Sequence, residues 1–457
     1  MKPQTLGSSW TARRVYLFSV AQICNLLHRR IAFCGTSTSA SPLELSDALP
    51  ITNRRYGRLQ ICATMGRCAL STFRRVMPGM TFLIVLGLAG TLPGQSFDAG
   101  SNGSLGDVAI GTNTTLTLPD DGKLHFRSLT VSNGVTLTFS RNARNTPVFI
   151  LSQGDVVVNG TINVGGSDRV ANTGGLGGPG GFDGGKPGFG AEVPPGFGYG
   201  PGGGVAGNNG SCGGTDTPWA GSYGTLGLDA TNGIYGNTLL IPLVGGSGGG
   251  GGQGSTAGGG GGGGAVLIAA NTRVAIGGSV LARGAAGGVC DNAGSGGAIR
   301  LVSFKVEGAG TLDAIGGNTQ NRGLGTGGLG RIRIDTVIRT GLAFSITGVS
   351  TIGGNLLVFP TTVPTLSVTE AAGNTVPNGS GPVVFTLPFG STTNRTIKIQ
   401  ARDFARNVPI RVTLTPDSGD KRTFDAQVDN TTVNPAVVDV MVTVPVNTLV
   451  TVHCWTQ

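Results

Sequence analysis

Apolar and polar positions alternate in short runs along most of the chain, and the runs recur. Gly264 opens Ala-Val-Leu-Ile-Ala-Ala, Gly297 opens Ala-Ile-Arg-Leu-Val-Ser and Gly330 opens Arg-Ile-Arg-Ile-Asp-Thr, at a spacing of 33 residues. A second motif follows inside the unit, first as Gly278-Ser-Val-Leu-Ala-Arg-Gly and then as Gly310-Thr-Leu-Asp-Ala-Ile-Gly-Gly. An earlier copy reads Val148-Phe-Ile-Leu-Ser, Asp155-Val-Val-Val and Gly160-Thr-Ile-Asn-Val-Gly-Gly. Short β-branched runs bounded by Gly, Asn or Asp are strand signals, and these runs are too short for helices. Such a unit cannot bury its apolar face alone, so a fixed repeat implies stacked coils around a shared core. Val266, Ile268, Ile299, Leu301, Ile332 and Ile334 are the expected inward ladder.

The pattern divides the chain. Residues 96–146 alternate as Thr115-Leu-Thr-Leu, Leu129-Thr-Val and Val135-Thr-Leu-Thr-Phe, which predicts an N-terminal cap and the first coils. Residues 147–359 are the expected stack, broken by a long insert at 165–263. Pro360 and Pro364 flank a short linker. After it come Ile397-Lys-Ile-Gln-Ala, Ile410-Arg-Val-Thr-Leu, Val438-Asp-Val-Met-Val-Thr-Val and Leu449-Val-Thr-Val, so 360–457 reads as a β-sandwich.

Composition sharpens this picture. Glycine accounts for 84 of 457 residues and charged residues for only 12%. There is no Gly-X-Y period, which excludes collagen, and the many Val, Ile, Leu and Thr residues argue against a disordered chain. The glycine-rich tracts, 165–263, 284–297 and 316–330, fall after the second strand of each unit and so map to one face of the stack. Two states are open to them: a solvated flexible loop, or a packed bundle of extended polyglycine segments. The aromatics Phe182, Phe189, Phe197, Tyr199, Trp219, Tyr223 and Tyr235 are scattered through the longest tract and mark it as a candidate contact face.

The net charge of +9 belongs to one end: residues 1–95 hold 11 basic and 2 acidic side chains, and the remainder holds 21 of each. A neutral body offers phosphate no electrostatic footprint, so nucleic acid is not an expected partner. Arg74 and Arg75, the apolar run Thr81–Ala89 and the exit at Gly94–Phe97 have the form of a secretory signal peptide, placed at about 65–95. Its apolar stretch is short for a bilayer span, so no transmembrane segment is expected in the mature chain. Because it lies far from Met1, the expected start is Met65, Met77 or Met80, with 1–64 an overextended reading frame. A long natural leader or a membrane segment near Val15–Ile23 are the alternatives.

Cys24, Cys34, Cys62 and Cys68 lie in that leader, leaving Cys212, Cys290 and Cys454. Export would favour a disulfide between Cys212 and Cys290, both in glycine-rich excursions; two unpaired thiols is the other reading. There is no Cys-x-x-Cys, and outside the leader only His125 and His453 remain, so neither metal nor cofactor is expected.

Gly-Gly-Ala-Ile-x-Leu strands, then Gly-Thr-Leu-x-Ala-x-Gly-Gly, then glycine-rich loops resemble secreted bacterial β-helix proteins of the pectin-lyase-like superfamily, over about 105–355. The tail, 361–457, resembles the immunoglobulin-like domains of bacterial surface proteins. The resemblance implies an all-β fold: a right-handed parallel β-helix or solenoid with glycine-rich insertions, followed by a small β-sandwich. It also implies one of two functions. The first is a secreted or cell-surface structural and adhesive protein that meets an extracellular glycan or cell-surface component. The rival is a polysaccharide lyase or glycoside hydrolase, which needs clustered carboxylates or acidic Ca²⁺ ligands. Asp155, Asp168, Asp183, Asp291, Asp313 and Asp335 are scattered about one per unit, and Asp120-Asp121-Gly122 reads as a turn. No catalytic residue is therefore assigned. Three or more acidic or basic side chains gathered on one face of the stack would favour the enzyme. The phosphate-loop-like Gly180–Lys186 ends on Pro187 instead of Ser or Thr and carries no weight.

Overall fold

The structure is a computed structural model that describes residues 97–207, 219–228, 230, 233–288, 292–318, 327–377 and 379–457, all within one compact unit. The expected leader, Cys212 and Cys290 lie outside the described residues. Among those described there is no helix.

The first fifteen strands are β1 (Asp107–Ile110), β2 (Thr114–Thr117), β3 (Lys123–Phe126), β4 (Ser128–Val131), β5 (Thr136–Ser140), β6 (Val148–Ser152), β7 (Val156–Val158), β8 (Thr161–Asn163), β9 (Ala265–Ile276), β10 (Ser279–Leu281), β11 (Ala298–Glu307), β12 (Thr311–Asp313), β13 (Arg331–Ile338), β14 (Ser345–Thr347) and β15 (Val349–Gly353). They form two parallel sheets. One has nine strands and runs β1-β4-β7-β9-β11-β13-β15, with β3 and β6 joined to it through β9. The other has six strands in the order β14-β12-β10-β8-β5-β2. The repeat is visible as register: Ala265, Ala298 and Arg331 are aligned partners.

Alternation explains the core. Val148, Val266, Ile299 and Ile332 stand in one row of the larger sheet, and Ile150, Ile268, Leu301 and Ile334 in the next inward row. Leu137, Ile162, Val280 and Leu312 form the facing row in the smaller sheet. Both sheets share this one apolar core, which includes all six expected ladder residues. Each fully buried Val, Leu or Ile contributes about 1.5–3 kcal/mol, so the ladder is a main source of cohesion.

In β9 and β11 the first six residues are all buried, on both faces. The outer face of this part of the sheet is covered by Tyr223, Leu240, Leu243 and Val358, with Phe97, Phe149 and Tyr235 around them. A strand covered on two sides reads as a continuous apolar run, as Ala-Val-Leu-Ile-Ala-Ala does. Arg300 is the exception within that cover. It is 1% exposed, pairs with the fully buried Asp335, and donates to the carbonyls of Leu357 at 2.5 Å and Val358 at 3.4 Å.

The C-terminal module holds β16 (Thr365–Ala371), β17 (Asn374–Thr375), β18 (Val383–Thr386), β19 (Asn394–Arg402), β20 (Asn407–Pro416), β21 (Arg422–Asp429), β22 (Ala436–Thr443) and β23 (Leu449–Thr456). These form two antiparallel sheets of four, ordered β17-β16-β19-β22 and β18-β23-β20-β21. Ile397 and Ile399 of one sheet pack with Val408, Ile410 and Val412 of the other in a second core.

Candidate functional site

The glycine-rich tracts are packed and hydrogen-bonded. Segment 245–252 is buried, and its backbone bonds to neighbouring segments on several sides. Phe182, Gly185 and Gly188 donate to the carbonyls of Gly246, Gly249 and Gly252 at 2.9–3.0 Å. Gly246, Gly249 and Gly252 in turn donate to Gly263, Gly260 and Ala257. Gly248 and Gly251 donate to Tyr199 and Gly196, Gly250 donates to Trp219, and Ser247 accepts from Ser295. Bonds to one neighbour recur every third residue, the period of a polyproline II helix, which has no internal hydrogen bonds and must find partners sideways. Only glycine allows the approach. A Cβ on Gly248 would collide with the Asp183 carbonyl, and one on Gly249 with the Asn292 carbonyl. Of the two states open to these tracts, the bundle is the one found among their described residues.

The seven aromatics of the expected contact face divide. Tyr223 is buried and Tyr235 half-buried against the stack, with ring centroids 4.5 Å apart and the Tyr235 hydroxyl donating to the Gly245 carbonyl at 2.6 Å. Trp219 is half-buried, with its backbone inside the bundle. Phe182, Phe197 and Tyr199 face the C-terminal module. Phe189 alone is largely exposed, at 47%. As a single external face, then, the set does not hold together. The reason is burial: large rings in a tract of glycines are its main source of apolar surface, and the chain covers them with its own stack and module.

Their meeting with the module creates the most structured polar site. Asp417 accepts a hydrogen bond from the Tyr199 hydroxyl at 3.0 Å and pairs with Lys186. Asp183 pairs with Arg141 and accepts from the Gly177 amide at 2.7 Å. Ser418 donates to the Pro194 carbonyl at 2.7 Å, and Lys421 reaches the Gly203 carbonyl and the Phe197 ring. Burial pulls the Lys421 ammonium down to about 8. His453 stacks on Trp455, with centroids 5.0 Å apart, and meets the edge of Phe182 at 5.8 Å. Its Nδ1 is buried without a hydrogen-bond partner, and burial pushes its pKa down to about 4. Cys454 is a free thiol, pushed up to about 12 by burial.

Beside these groups lies a cleft of about 760 Å³ between the bundle and the module. Arg141, Arg144, Leu176 and Phe182 line one side, and Leu366, Val368, Val383, Val384 and His453 the other. In the sequence Arg144 and Asp417 carry no assigned role, and Lys186 and His453 stand only as a phosphate-loop decoy and an isolated histidine. They lie far apart along the chain, and the one local signal is the rarity of charge: a Lys or Asp inside a glycine tract already asks for a partner.

The scattered acids each have their own partner. Asp168 accepts from the Ala286 amide, Asp313 pairs with Arg283, and Asp335 with Arg300 and Arg333. Asp291 lies outside the described residues. One group does gather: Asp155, just before β7, Arg273 of β9, and Lys305 and Glu307 of β11, with Arg273 bonded to both carboxylates. Lys305, hydrogen-bonded to it, and then Arg273 hold the Glu307 carboxyl below the usual carboxylate range. Among the described residues, no group of three or more His, Cys, Asp or Glu is placed to hold a metal ion, and no helix is long and apolar enough to cross a membrane. No known protein family, curated protein or solved structure matches this chain.

Proposed function

We propose that this chain is a secreted or cell-surface structural and adhesive protein. On this reading the two parallel sheets are walls of a right-handed β-helix of the pectin-lyase-like kind, which serves as a stalk. The two antiparallel sheets are an immunoglobulin-like sandwich. The observation that carries the reading is the glycine bundle: a long insert builds a packed core almost without side chains and leaves an apolar tip outside it. At that tip Val170, Phe189 and Val193 are 68%, 47% and 44% exposed around the turn at Gln253–Thr256. Gly190 donates to the Gln253 side chain at 3.1 Å and Asn172 to the Ser255 carbonyl at 3.0 Å, so the tip is fastened before any partner arrives. Exposed apolar side chains on a fastened tip suit an extracellular glycan or cell-surface component.

The test is binding of the full chain to a glycan array and to cells. Phe189→Ala with Val193→Asp should weaken a hit about tenfold or more, as loss of central apolar anchors does; unchanged binding sinks the reading. The row of Asp155, Arg273, Lys305 and Glu307 favours the rival, a carbohydrate-active enzyme. Incubating any glycan hit with the chain separates the two: chain shortening that is lost in Glu307→Gln supports the enzyme, and intact glycan supports adhesion.

A further inference from the structure

The cleft beside the module carries an inference that goes beyond adhesion at the bundle tip and uses different residues. Two unpaired strand edges line it. Among the described residues, β18 is an outer strand that pairs with β23 alone. In β16, the stretch Thr365–Val368 has β19 on one side, while β17 covers only Glu370 and Ala371 on the other. Leu366, Ser367, Val368, Pro382, Val383 and Val384 of these edges all reach the cleft. Natural sheets blunt an open edge with charge, bulges or a covering loop. Here Pro382 and the backbone at Ala143 guard only the entry to the edge, and the strand beyond, Val383-Val-Phe-Thr, is uncharged, with Val384 43% exposed.

The opposite side carries three cations, Arg141, Arg144 and Lys186, and two carboxylates, Asp183 and Asp417. Arg141 is engaged by Asp183, and Lys186 by Asp417. Among the described residues, Arg144 has only the loose pair with Asp120, at 3.6 Å, and Asp120 does not line the cleft. Arg144 also lies against the turn that leads into β18: a Cβ on Gly379 would sit 3.6 Å from its guanidinium. The cleft therefore combines free main-chain donors and acceptors, an aliphatic wall from Leu176 to Val384, and one available cation at the start of the edge. A sugar platform is less well served, because the rings that reach the cleft, Phe182, Tyr199 and His453, are engaged with one another or with Trp455.

We propose that this cleft is a docking groove for an extended acidic peptide segment of a partner protein, which adds as a strand along β18 and sets a carboxylate on Arg144. Main-chain hydrogen bonds supply affinity in such β-addition, and alternate side chains supply selectivity. The β-branched residues of the segment lie on Leu366, Val368 and Val384.

The probe is a phage-displayed library of linear heptapeptides selected on the full chain, with the enriched peptides resynthesised. The expected peptides alternate β-branched residues and carry Asp or Glu near one end. Their binding should fall about tenfold or more in Arg144→Glu, as for a lost charged anchor, and in Val384→Lys. N-methylation of alternate backbone nitrogens of the peptide should abolish it. Both protein variants change exposed positions, and unchanged melting temperatures confirm that they fold. No enrichment, binding indifferent to Arg144 and Val384, tolerance of N-methylation, or a uronate oligosaccharide that occupies the groove in an Arg144-dependent way would each overturn the proposal. None of these outcomes bears on Phe189 and the bundle tip.

Discussion

The hydroxyl of Tyr199 donates to the Asp417 carboxylate at 3.0 Å, joining residues 218 positions apart. With the Lys186 pair on the same carboxylate, it fastens the glycine bundle to the C-terminal module. Tyr199→Phe removes a bond to a charged acceptor and should cost about 1.5–3 kcal/mol in denaturant unfolding. Burial, and then the charge of Asp417, hold the Tyr199 proton well above its ordinary range. The contribution is therefore complete below the ordinary tyrosine pKa, about 10, and is lost as pH rises beyond it. Melting temperatures from pH 8 to 11 should fall more steeply in the wild type than in Tyr199→Phe.

His453 sets the acid limit of the same junction. Its folded pKa of about 4 lies below its ordinary value of 6.5, because burial disfavours the charged ring. Stability from the neutral ring is full above pH 6.5 and drains away as pH falls toward 4. Asp183 and Lys421 are the charged groups that act on it, and Lys421, with its pKa near 8, titrates above this window. His453→Phe keeps a ring on Trp455 and removes the titration. Between pH 7 and 4 the wild type should lose on the order of 2–3 kcal/mol relative to the variant, measured as a divergence of the two melting curves. Parallel curves would show that the ring does not titrate at the junction.

The bundle should tolerate no side chain at its centre. Gly249→Ala drives a methyl into the Asn292 carbonyl, whereas Gly111 has nothing near its Cβ position. Overpacking of this kind costs about 1–3 kcal/mol. Gly249→Ala should lower the melting temperature and speed amide exchange at Gly185, which donates to the Gly249 carbonyl, and at Gly260, which donates to the displaced Asn292 carbonyl. Gly111→Ala should do neither.

Asp335 holds Arg300 at the outer face of the larger sheet and accepts from the Asn355 amide at 3.1 Å. Burial pulls the Arg300 pKa down while Asp335 opposes it. Asp335→Ala strands a buried guanidinium and should cost about 3–5 kcal/mol. It should also loosen residues 355–358, read as faster protease cleavage there. The double variant Arg300→Met with Asp335→Ala should recover much of the loss.

The strands and their inward rows were legible because alternation is local: Ile332 and Ile334 stand between Arg331, Arg333 and Asp335, and the 33-residue register carries that face to Ile299 and Val266. The apolar runs of β9 and β11 also announced strands, but their second buried face depends on Tyr223, Leu240 and Val358 arriving from elsewhere. The glycine tracts could be read as punctuation and insert, not as a bundle. Glycine carries no side-chain pattern, and the partners of Gly249, namely Gly185 and Gly260, are backbone groups about which residue types say nothing.

Residue type marked the aromatics as contact-forming, and Phe182, Phe197 and Tyr199 do make contacts, with the chain's own module. Which surface covers a ring is a question of how distant segments pack, and so is the cleft. Arg144 and Val384 lie 240 positions apart, with no shared motif. The amino-acid sequence by itself determined strand, turn and inward face, because those follow from neighbours along the chain. Only the tertiary structure decided which backbones pair within the bundle, which rings are covered and where an edge stays open, because each is settled by groups that become neighbours on folding.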